Sequence, residues 1–302
     1  MCHSLSRLCL NRHTGWKACV TLRPRLFRRF ICFDSLGAIQ QIRGVKPSQI
    51  AAQLYTVRDF CTSATALSET AKKLRAIGYE AAQVSGVSGD IPPQEIRRIL
   101  SGEGIKICAT HESGDLIRSN PLAVVERLKA MEVVHTAYPY PSGVDFADGA
   151  AVKAMVSDLD AAGAVLRENG CVLSYHNHAI EFIRIGDEVL MDYIARAASP
   201  ENLKFELDTY WVQFGGGDPV AWCKKASGRM PVLHCKDFGY GTDNKAFFAE
   251  IGYGNLDFPA IVAAADAAGC EWFVVEQDTC PGDPFVSLEK SYRTMRDCLC
   301  GG

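Results

Sequence analysis

Residues 231–238 read Pro-Val-Leu-His-Cys-Lys-Asp-Phe, and residues 203–211 read Leu-Lys-Phe-Glu-Leu-Asp-Thr-Tyr-Trp. Each stretch is a short apolar run of strand length that ends in charged residues. Such runs recur from residue 49 onward, roughly 25 to 35 residues apart, and amphipathic segments with a period near 3.6 lie between them. The alternation predicts strand–helix units that build a parallel sheet.

Eight apolar runs follow residue 44. They are Ile50–Arg58, Tyr79–Ser85, Ile105–His111, Val133–Tyr138, Cys171–His178, Leu203–Trp211, Pro231–Phe238 and Glu271–Asp278. Helices are predicted at Ala66–Ile77, Leu122–Met131, Ala151–Glu168 and Phe258–Ala268. Eight strand–helix repeats in about 250 residues predict an α/β fold of the (β/α)8 TIM barrel type, as a single domain over residues 45–302.

A doubly wound sheet is the alternative α/β arrangement, but it needs a glycine-rich phosphate turn after its first strand. Here that strand ends at residues 55–58 as Tyr-Thr-Val-Arg, without glycine. Gly252 and Gly254 form an isolated pair far downstream, and the run at 215–217 lacks the lysine and hydroxyl residue of a phosphate loop. We interpret both as loop glycines and predict no nucleotide site.

The composition is that of an ordinary globular chain, with 48% hydrophobic and 22% charged residues among 302. These fractions exclude collagen-like, coiled-coil and disordered chains, and no apolar run approaches the ~20 residues of a membrane span. Residues 1–33 hold seven of the 32 basic residues and no acidic one, so the remainder sets 25 basic against 35 acidic residues. The chain after residue 33 thus has a net charge of −10. Such a charge opposes binding to the phosphate backbone of a nucleic acid, so we predict no nucleic-acid partner.

The first 44 residues form a basic extension outside the repeats. Their six arginines, with serine, leucine and phenylalanine between them, are typical of an organellar transit peptide. Arg28 and Arg29 before an apolar pair also fit a degraded twin-arginine export signal, although Asp34 interrupts the apolar stretch. An extension without a role is the third interpretation.

Thirteen cysteines suggest disulfides until their positions are considered. The number is odd, and no pair has the CxxC spacing of a zinc ribbon. Cys108, Cys171, Cys235 and Cys270 lie within apolar strand-like runs, where a thiol behaves as a small hydrophobic group. Free thiols and a reducing, cytoplasmic location are therefore expected.

Polar side chains close four successive strands at their C-terminal ends, where barrel enzymes carry their catalytic groups. The segments are Ser174–His178 with Glu181 beyond it, Glu206–Asp208, His234–Asp237 and Glu276–Asp278. Each residue alone is explained by a helix cap or by a hydrogen-bonded core position. Together they would bury unpaired charge unless a cation neutralised them. Oxygen and nitrogen donors without thiolate suit Mn²⁺, Co²⁺, Mg²⁺ or Zn²⁺.

From about Gln49 to Leu299 the chain resembles the sugar phosphate isomerase/epimerase family of xylose isomerase-like TIM barrels. The resemblance lies in residues 53–58 (Gln-Leu-Tyr-Thr-Val-Arg), 175–178 (Tyr-His-Asn-His) with Glu181-Phe182, 206–211 (Glu-Leu-Asp-Thr-Tyr-Trp), 234–237 (His-Cys-Lys-Asp) and 276–278 (Glu-Gln-Asp). It implies one divalent metal, Mn²⁺ foremost, held by Asp208, His234, Glu276 and a further glutamate. Related isomerases place that glutamate within strand five, and here Glu181 is the candidate, with His176 or His178 as a replacement or neighbour.

The family resemblance implies carbanion chemistry beside a sugar carbonyl. A divalent ion that binds the carbonyl and a neighbouring hydroxyl favours the enediolate formed when the intervening carbon loses its proton. Glu181 and Glu276 are the predicted bases, and Lys236, His111 and His176 are further catalytic candidates. A solvated Lys236 that pairs with Asp237 is the structural alternative.

Other polar and aromatic residues at strand ends are candidates for substrate binding. Aromatic faces suited to stacking on a sugar are expected from Tyr210, Trp211 and Phe238 at the strand ends, although large aromatic residues there often only pack. Hydroxyl ligands are expected from Gln53, Tyr55, Gln83 and His178.

Three classes of function remain from the sequence. The first is a metal-dependent sugar isomerase or epimerase, or a dehydratase/lyase on an inosose or 3-keto glycoside with the same site. The second is a phosphodiesterase of the endonuclease IV type, which would need further histidine ligands; Trp211 stands where those nucleases have one. The third is a non-catalytic sugar-binding barrel. A small carbohydrate is the expected partner, without membrane contact, and homo-oligomerisation stays open.

The basic extension is predicted to be dispensable for folding, because residues 1–43 show no periodic apolar face. A protein that begins near Val45 should melt in one cooperative transition and keep its metal and its activity. Thermal melts and elemental analysis of the two proteins test this. Aggregation or metal loss in the shorter protein would mean that the extension packs on the barrel.

Overall fold

Eight parallel strands close into a barrel in the computed structural model, which describes residues 45–300. They are β1 (Ile50–Gln53), β2 (Ala81–Val84), β3 (Lys106–His111), β4 (His135–Tyr138), β5 (Val172–His176), β6 (Leu203–Asp208), β7 (Val232–Cys235) and β8 (Trp272–Val275). Each strand pairs with its neighbours in chain order, and β8 closes on β1. All eight predicted runs contribute a strand, so the predicted TIM barrel is confirmed.

Helices follow the strands and cover the outside of the barrel. They are α1 (Ala64–Ile77), α2 (Pro93–Gly102), α3 (Gly114–Ser119), α4 (Pro121–Met131), α5 (Gly149–Glu168), α6 (Leu190–Ala197), α7 (Thr209–Phe214), α8 (Pro219–Lys225), α9 (Phe258–Ala267) and α10 (Pro284–Thr294). The four helices predicted from periodicity are confirmed within two residues. Side-chain caps begin several of them; the Ser63 hydroxyl, for example, accepts from the Ala66 N–H.

Two apolar layers hold the barrel together. The larger one lies between strands and helices and includes Leu74, Leu128 and Leu159, all fully buried. The smaller one fills the N-terminal part of the barrel interior with mostly small side chains, among them Ala51 and Val274. Polar residues occupy the interior above this plug, because inward-facing positions alternate along each strand. The smaller apolar layer therefore lies directly beneath a polar layer in the barrel interior.

A β-hairpin of Asp237–Tyr240 and Ala246–Ala249 extends from the end of β7. Its base is fixed by the Asp237 carboxylate, which accepts backbone N–H groups from Phe238, Gly252, Gly254 and Leu256. A Cβ on Gly254 would lie 2.3 Å from the Asp237 carboxylate, so the glycine permits this close approach. The glycine pair at 252 and 254 thus belongs to a loop, as predicted.

Other sequence predictions can be located within residues 45–300. All nine cysteines described there are free thiols, and six of them are buried. No helix in this part of the chain is long and apolar enough to cross a membrane. The basic extension at 1–44, with its targeting interpretations, lies outside the described residues.

The fold predicts opposite outcomes for alanine at two glycines of α5. A Cβ on Gly163 would lie 2.1 Å from the backbone oxygen of Asn202, whereas a Cβ on Gly149 would meet no atom within 4 Å. Gly163→Ala should therefore lower the free energy of unfolding by about 1–3 kcal/mol, since the backbone must shift. Gly149→Ala should leave it unchanged or slightly raised, because alanine favours the helix. Urea unfolding measures both; a Gly163→Ala protein as stable as wild type would contradict this packing.

Candidate metal and acid–base site

The polar layer of the barrel interior forms one connected cluster at the C-terminal ends of the strands. Its members, drawn from six strands or the residues just beyond them, are Gln83, His111, His176, Glu206, Asp208, His234, Lys236, Glu276 and Asp278. The matched register of β6 and β7 sets Asp208 beside His234. Seven of the nine are buried, so their charges must be satisfied by one another or by a bound ion.

Asp208, His234 and Glu276 bring three ligand atoms within 4.8 Å of one another. The Nδ1 atom of His234 lies 2.6 Å from a Glu276 carboxylate oxygen. Asp208 and His234 are fully buried, and Glu276 is nearly so. Two carboxylates and one imidazole form the donor set of an open site for a divalent cation.

The Lys236 ammonium lies between the carboxylates of this group. Its Nζ is 3.0 Å from Asp208, 3.0 Å from Glu276 and 2.7 Å from Asp278. Burial alone would lower the pKa of Lys236, but the three carboxylates outweigh it and hold the pKa well above its usual value. Lys236 is therefore a buried, charged member of the cluster. The alternative in which it pairs with Asp237 at the rim is wrong, because Asp237 is engaged by backbone N–H groups.

Glu206 is the centre of a second convergent group. Three imidazole nitrogens surround one of its oxygens, Oε1: His111 Nε2 at 2.5 Å, His234 Nε2 at 2.9 Å and His176 Nδ1 at 3.2 Å. The other oxygen accepts from the Gln83 amide at 2.9 Å. Burial would raise the pKa of Glu206, but the charges on His234 and His111 outweigh it and lower the pKa well below its usual value.

His234 links the two groups through its two ring nitrogens. Nδ1 faces Glu276, while Nε2 lies 2.8 Å from the Gln83 amide oxygen and 2.9 Å from Glu206. Burial lowers the pKa of His234, but the two carboxylates outweigh it and raise the pKa to about 10. If His234 bound a metal through one ring nitrogen, a neighbouring carboxylate would remain as the partner of the other. Metal-bound histidines commonly have such a partner.

The carboxylates of the cluster outnumber its cations. Glu206, Asp208, Glu276 and Asp278 share one lysine ammonium and the imidazoles of His111 and His234 as basic partners. Burial accordingly raises the pKa of Asp208 to about 6, although Lys236 and His234 act against it. A divalent cation would balance this excess.

Glu181, the predicted fourth ligand, does not belong to either convergent group of the described residues. Its fully buried carboxylate accepts from the Tyr175 hydroxyl at 2.9 Å and from the His178 backbone N–H at 2.7 Å. Burial raises the pKa of Glu181 to about 7, although both hydrogen bonds oppose the shift. Its roles as ligand and base stay predictions.

His176 and His178 lie side by side at the end of β5, with ring centroids 4.9 Å apart. His176 is buried inside the cluster, and its Nε2 lies 3.9 Å from an Asp208 oxygen. His178 is less buried, and its ring lies 5.1 Å from that of Tyr140 and 5.4 Å from that of Trp211. His176 is thus a second histidine of the cluster within reach of Asp208.

The predicted hydroxyl ligands have unequal surroundings. Gln53 is fully buried in register with Gln83, and its amide has no hydrogen-bond partner within residues 45–300, so it is available to a ligand. The side-chain amide of Gln83 is already engaged, because its nitrogen donates to Glu206 and its oxygen lies at the His234 imidazole. Tyr55 is partly exposed, and the Arg58 guanidinium lies over its ring, 4.3 Å from the Tyr55 ring centroid.

The aromatic residues predicted to stack on a sugar lie close together, with the Tyr210 ring centroid 4.9 Å from that of Trp211 and 5.2 Å from that of Phe238, and their role in substrate binding stays a prediction. Tyr210 is buried, and its ring stacks on Phe248 with centroids 4.0 Å apart. The Lys236 Nζ lies 5.9 Å from the ring centroids of both Trp211 and Phe248. Phe248 was not predicted, because it belongs to the hairpin after β7, whose fold-back is not visible in the strand pattern.

Glu206 and Asp278 are the charged cluster members that the predicted ligand and catalytic sets omit. The alternation that places Glu206 on the same face as Asp208, and Asp278 on that of Glu276, is the sequence feature that identifies them. Their partners, three histidines and one lysine from other strands, become visible only once the barrel is closed.

A family model described as a xylose isomerase-like TIM barrel matches residues 71–299. The rhizopine catabolism protein MocC of Rhizobium meliloti is 28% identical over 131 residues, which cover 38% of this chain and 39% of that protein. The match thus spans about two fifths of that relative's length.

Three solved structures are similar to this chain. A sugar phosphate isomerase/epimerase from Parabacteroides distasonis has a TM-score of 0.70 and 20% identity, over 84% of this chain and 95% of that one. The probable 3-DHS dehydratase AsbF of Bacillus anthracis, involved in petrobactin synthesis, has a TM-score of 0.63 and 11% identity, over 82% of this chain and 98% of that one. A xylose isomerase-like TIM barrel protein from Mycobacterium smegmatis in complex with magnesium has a TM-score of 0.63 and 12% identity, over 83% of this chain and 98% of that one. At these identities the likeness concerns the fold.

Asp208→Ala is expected to remove most bound divalent metal, because the remaining donors cannot hold a hard cation in an open site. Glu271→Gln is the matched control, since Glu271 is an acid at the opposite end of the barrel, beside His135. Elemental analysis after dialysis against Mn²⁺ measures both. Full occupancy in Asp208→Ala, or equal loss in both variants, would contradict the assignment.

Proposed function

Because the chain belongs to the xylose isomerase-like TIM barrel family, we propose that it is a divalent-metal-dependent isomerase or epimerase of a keto sugar or a related polyol. The observation that carries the proposal is the convergence of Asp208, His234 and Glu276 at the mouth of the barrel. The similarity to a sugar phosphate isomerase/epimerase of known structure supports the same class.

The cluster fits a divalent cation in donor chemistry and in charge. Asp208, His234 and Glu276 would hold it, with His176 or Glu181 as a further donor, and it would offset the excess of carboxylates in the cluster. Such a cation polarises a substrate carbonyl and lowers the cost of charge on its oxygen. We propose Mn²⁺, with Co²⁺, Mg²⁺ and Zn²⁺ as alternatives; hard oxygen donors suit all four.

The proton steps would be performed by charged groups of the same cluster. Burial would raise the pKa of Glu276, but Lys236 and His234 outweigh it and lower the pKa, so Glu276 is an ionised base at neutral pH. It would take the proton from the carbon beside the carbonyl, giving an enediolate. Lys236, 3.0 Å from Glu276, would return a proton on the side of that base. Return to the adjacent carbon isomerises the sugar, whereas epimerisation would need a donor on the opposite face.

The second candidate reaction is dehydration or lyase chemistry on an inosose or a 3-keto glycoside. The observation that favours it is the buried Lys236 ammonium beside the predicted base, because elimination needs an acid that protonates the leaving oxygen. AsbF shows that the fold also occurs in a probable dehydratase. The first step, loss of a proton beside the carbonyl, is common to both reactions.

We further propose a cytoplasmic enzyme with a small carbohydrate as its partner. The free state of all nine described cysteines fits a reducing compartment. The barrel mouth ends in aromatic and carboxylate side chains, which suit a polyol better than a nucleic acid.

The proposal predicts metal-dependent exchange of a substrate C–H proton with solvent. Ketoses, keto glycosides and inososes incubated in D₂O with Mn²⁺ should show deuterium beside the carbonyl by NMR, and EDTA should abolish it. Glu276→Gln should lower the exchange rate by roughly 10² to 10⁴, because the general base is lost while an oxygen donor remains. The control Glu271→Gln should exchange at the wild-type rate.

No exchange on any of these sugars would contradict the proposal. Cleavage of abasic-site DNA under the same conditions would favour the nuclease class instead.

A further inference from the structure

Four aromatic side chains form a continuous strip that leads from the cluster to the outer rim of the barrel. The rim strip consists of Trp211 and Phe214 on α7 and Phe238 and Tyr240 on the hairpin. Successive ring centroids are 5.7 Å apart from Trp211 to Phe214, 6.5 Å from Phe214 to Phe238 and 6.2 Å from Phe238 to Tyr240.

The inner end of the rim strip borders the acid–base groups. Trp211 is the ring 5.9 Å from the Lys236 ammonium, and its indole Nε1 has no hydrogen-bond partner within residues 45–300. An indole N–H in such a place usually has a partner, so this donor is available to a ligand hydroxyl. The strip is therefore continuous with the proposed reaction site.

Two rings of the rim strip are exposed to solvent. Phe214 is 53% exposed and Tyr240 is 54% exposed, although both are large aromatic residues. Phe214 also contacts the rim-strip ring Phe238, so these exposed rings form part of a patch. Contiguous exposed apolar patches commonly mark binding sites.

One sugar ring cannot account for the length of the strip. A ring above Lys236 can reach Trp211 and Phe248, since ring stacking takes place at about 4.5–7 Å between centroids. Phe214, Phe238 and Tyr240 continue outward from there and would be left without a ligand.

We infer that the rim strip binds the second ring of a glycoside whose reacting keto-sugar ring lies at the Asp208–Lys236–Glu276 cluster. The inference rests on the proposed function for the position of the first ring. The second ring is a pyranose or an aryl group, because both present a flat apolar face to an aromatic side chain. The substrate class thereby narrows from free keto sugars to keto glycosides.

Calorimetric binding to the full-length protein with Mn²⁺ tests the strip without requiring turnover. The probes are methyl β-D-glucopyranoside with one ring, phenyl β-D-glucopyranoside with an aryl second ring, and methyl β-cellobioside with a sugar second ring. The wild type should bind at least one two-ring probe roughly five- to tenfold more tightly than the one-ring probe. The preferred two-ring probe identifies the kind of second ring.

Variants of Phe214 isolate the contribution of the strip. Phe214→Ala should reduce the two-ring preference to less than twofold, and Phe214→Tyr should restore it, because tyrosine keeps the flat face. Tyr253→Ala is the matched control, since Tyr253 is 64% exposed but contacts Lys290 rather than the strip. It should keep the wild-type preference, and circular dichroism checks that all three variants fold.

Equal affinity of the wild type for all three probes, or no binding of any, would overturn the inference. The same holds if Phe214→Ala weakens one-ring and two-ring probes alike. Proton exchange on keto sugars without a two-ring preference would remove the strip inference and leave the proposed function standing. A two-ring preference without proton exchange on any keto sugar would contradict the proposed function and leave the binding role of the strip standing.

Discussion

The need to neutralise buried carboxylates governs the centre of this barrel. Glu206, Asp208, Glu276 and Asp278 meet in a layer where the Lys236 ammonium and the His111 and His234 imidazoles are their basic partners. Carboxylates removed from water are costly unless each has a cation or several hydrogen-bond donors. The imidazoles, the ammonium and the Gln83 amide supply part of that compensation. A divalent cation would supply the rest, which is why the layer is suited to metal-dependent chemistry.

The fold gives this layer its geometry. Small apolar side chains fill the interior below it, so the polar groups lie at the C-terminal ends of the strands. The register that sets Asp208 beside His234 also brings Glu206 to the other nitrogen of that imidazole. His234 is thereby held from both sides, with one nitrogen directed at the proposed metal position. The aromatic rings of α7 and the hairpin extend from this polar layer toward the rim of the barrel.

Much of this arrangement could be predicted from the sequence. Alternating apolar runs and helices specify the barrel, and the polar strand ends specify where Asp208, His234 and Glu276 meet. The pairing of Lys236 could not be settled from the sequence, because a lysine at a strand end can equally lie at the rim beside Asp237. Glu181 is a candidate ligand by its place after β5, but its buried hydrogen bonds to the Tyr175 hydroxyl and to the His178 backbone are tertiary features that the sequence does not reveal. Phe248 reaches the site only through the hairpin fold-back.

The charge balance of the cluster can be tested by replacing its ammonium with a side chain of similar length. Lys236→Met leaves the four carboxylates with still less compensation, so the folded protein should depend more strongly on a bound cation. The melting temperature of wild type and variant is measured in Mn²⁺ and in EDTA. We expect the difference between the two conditions to be several degrees larger for Lys236→Met. Equal melting of the variant in Mn²⁺ and EDTA would contradict the claim that this cluster is built to hold a divalent cation.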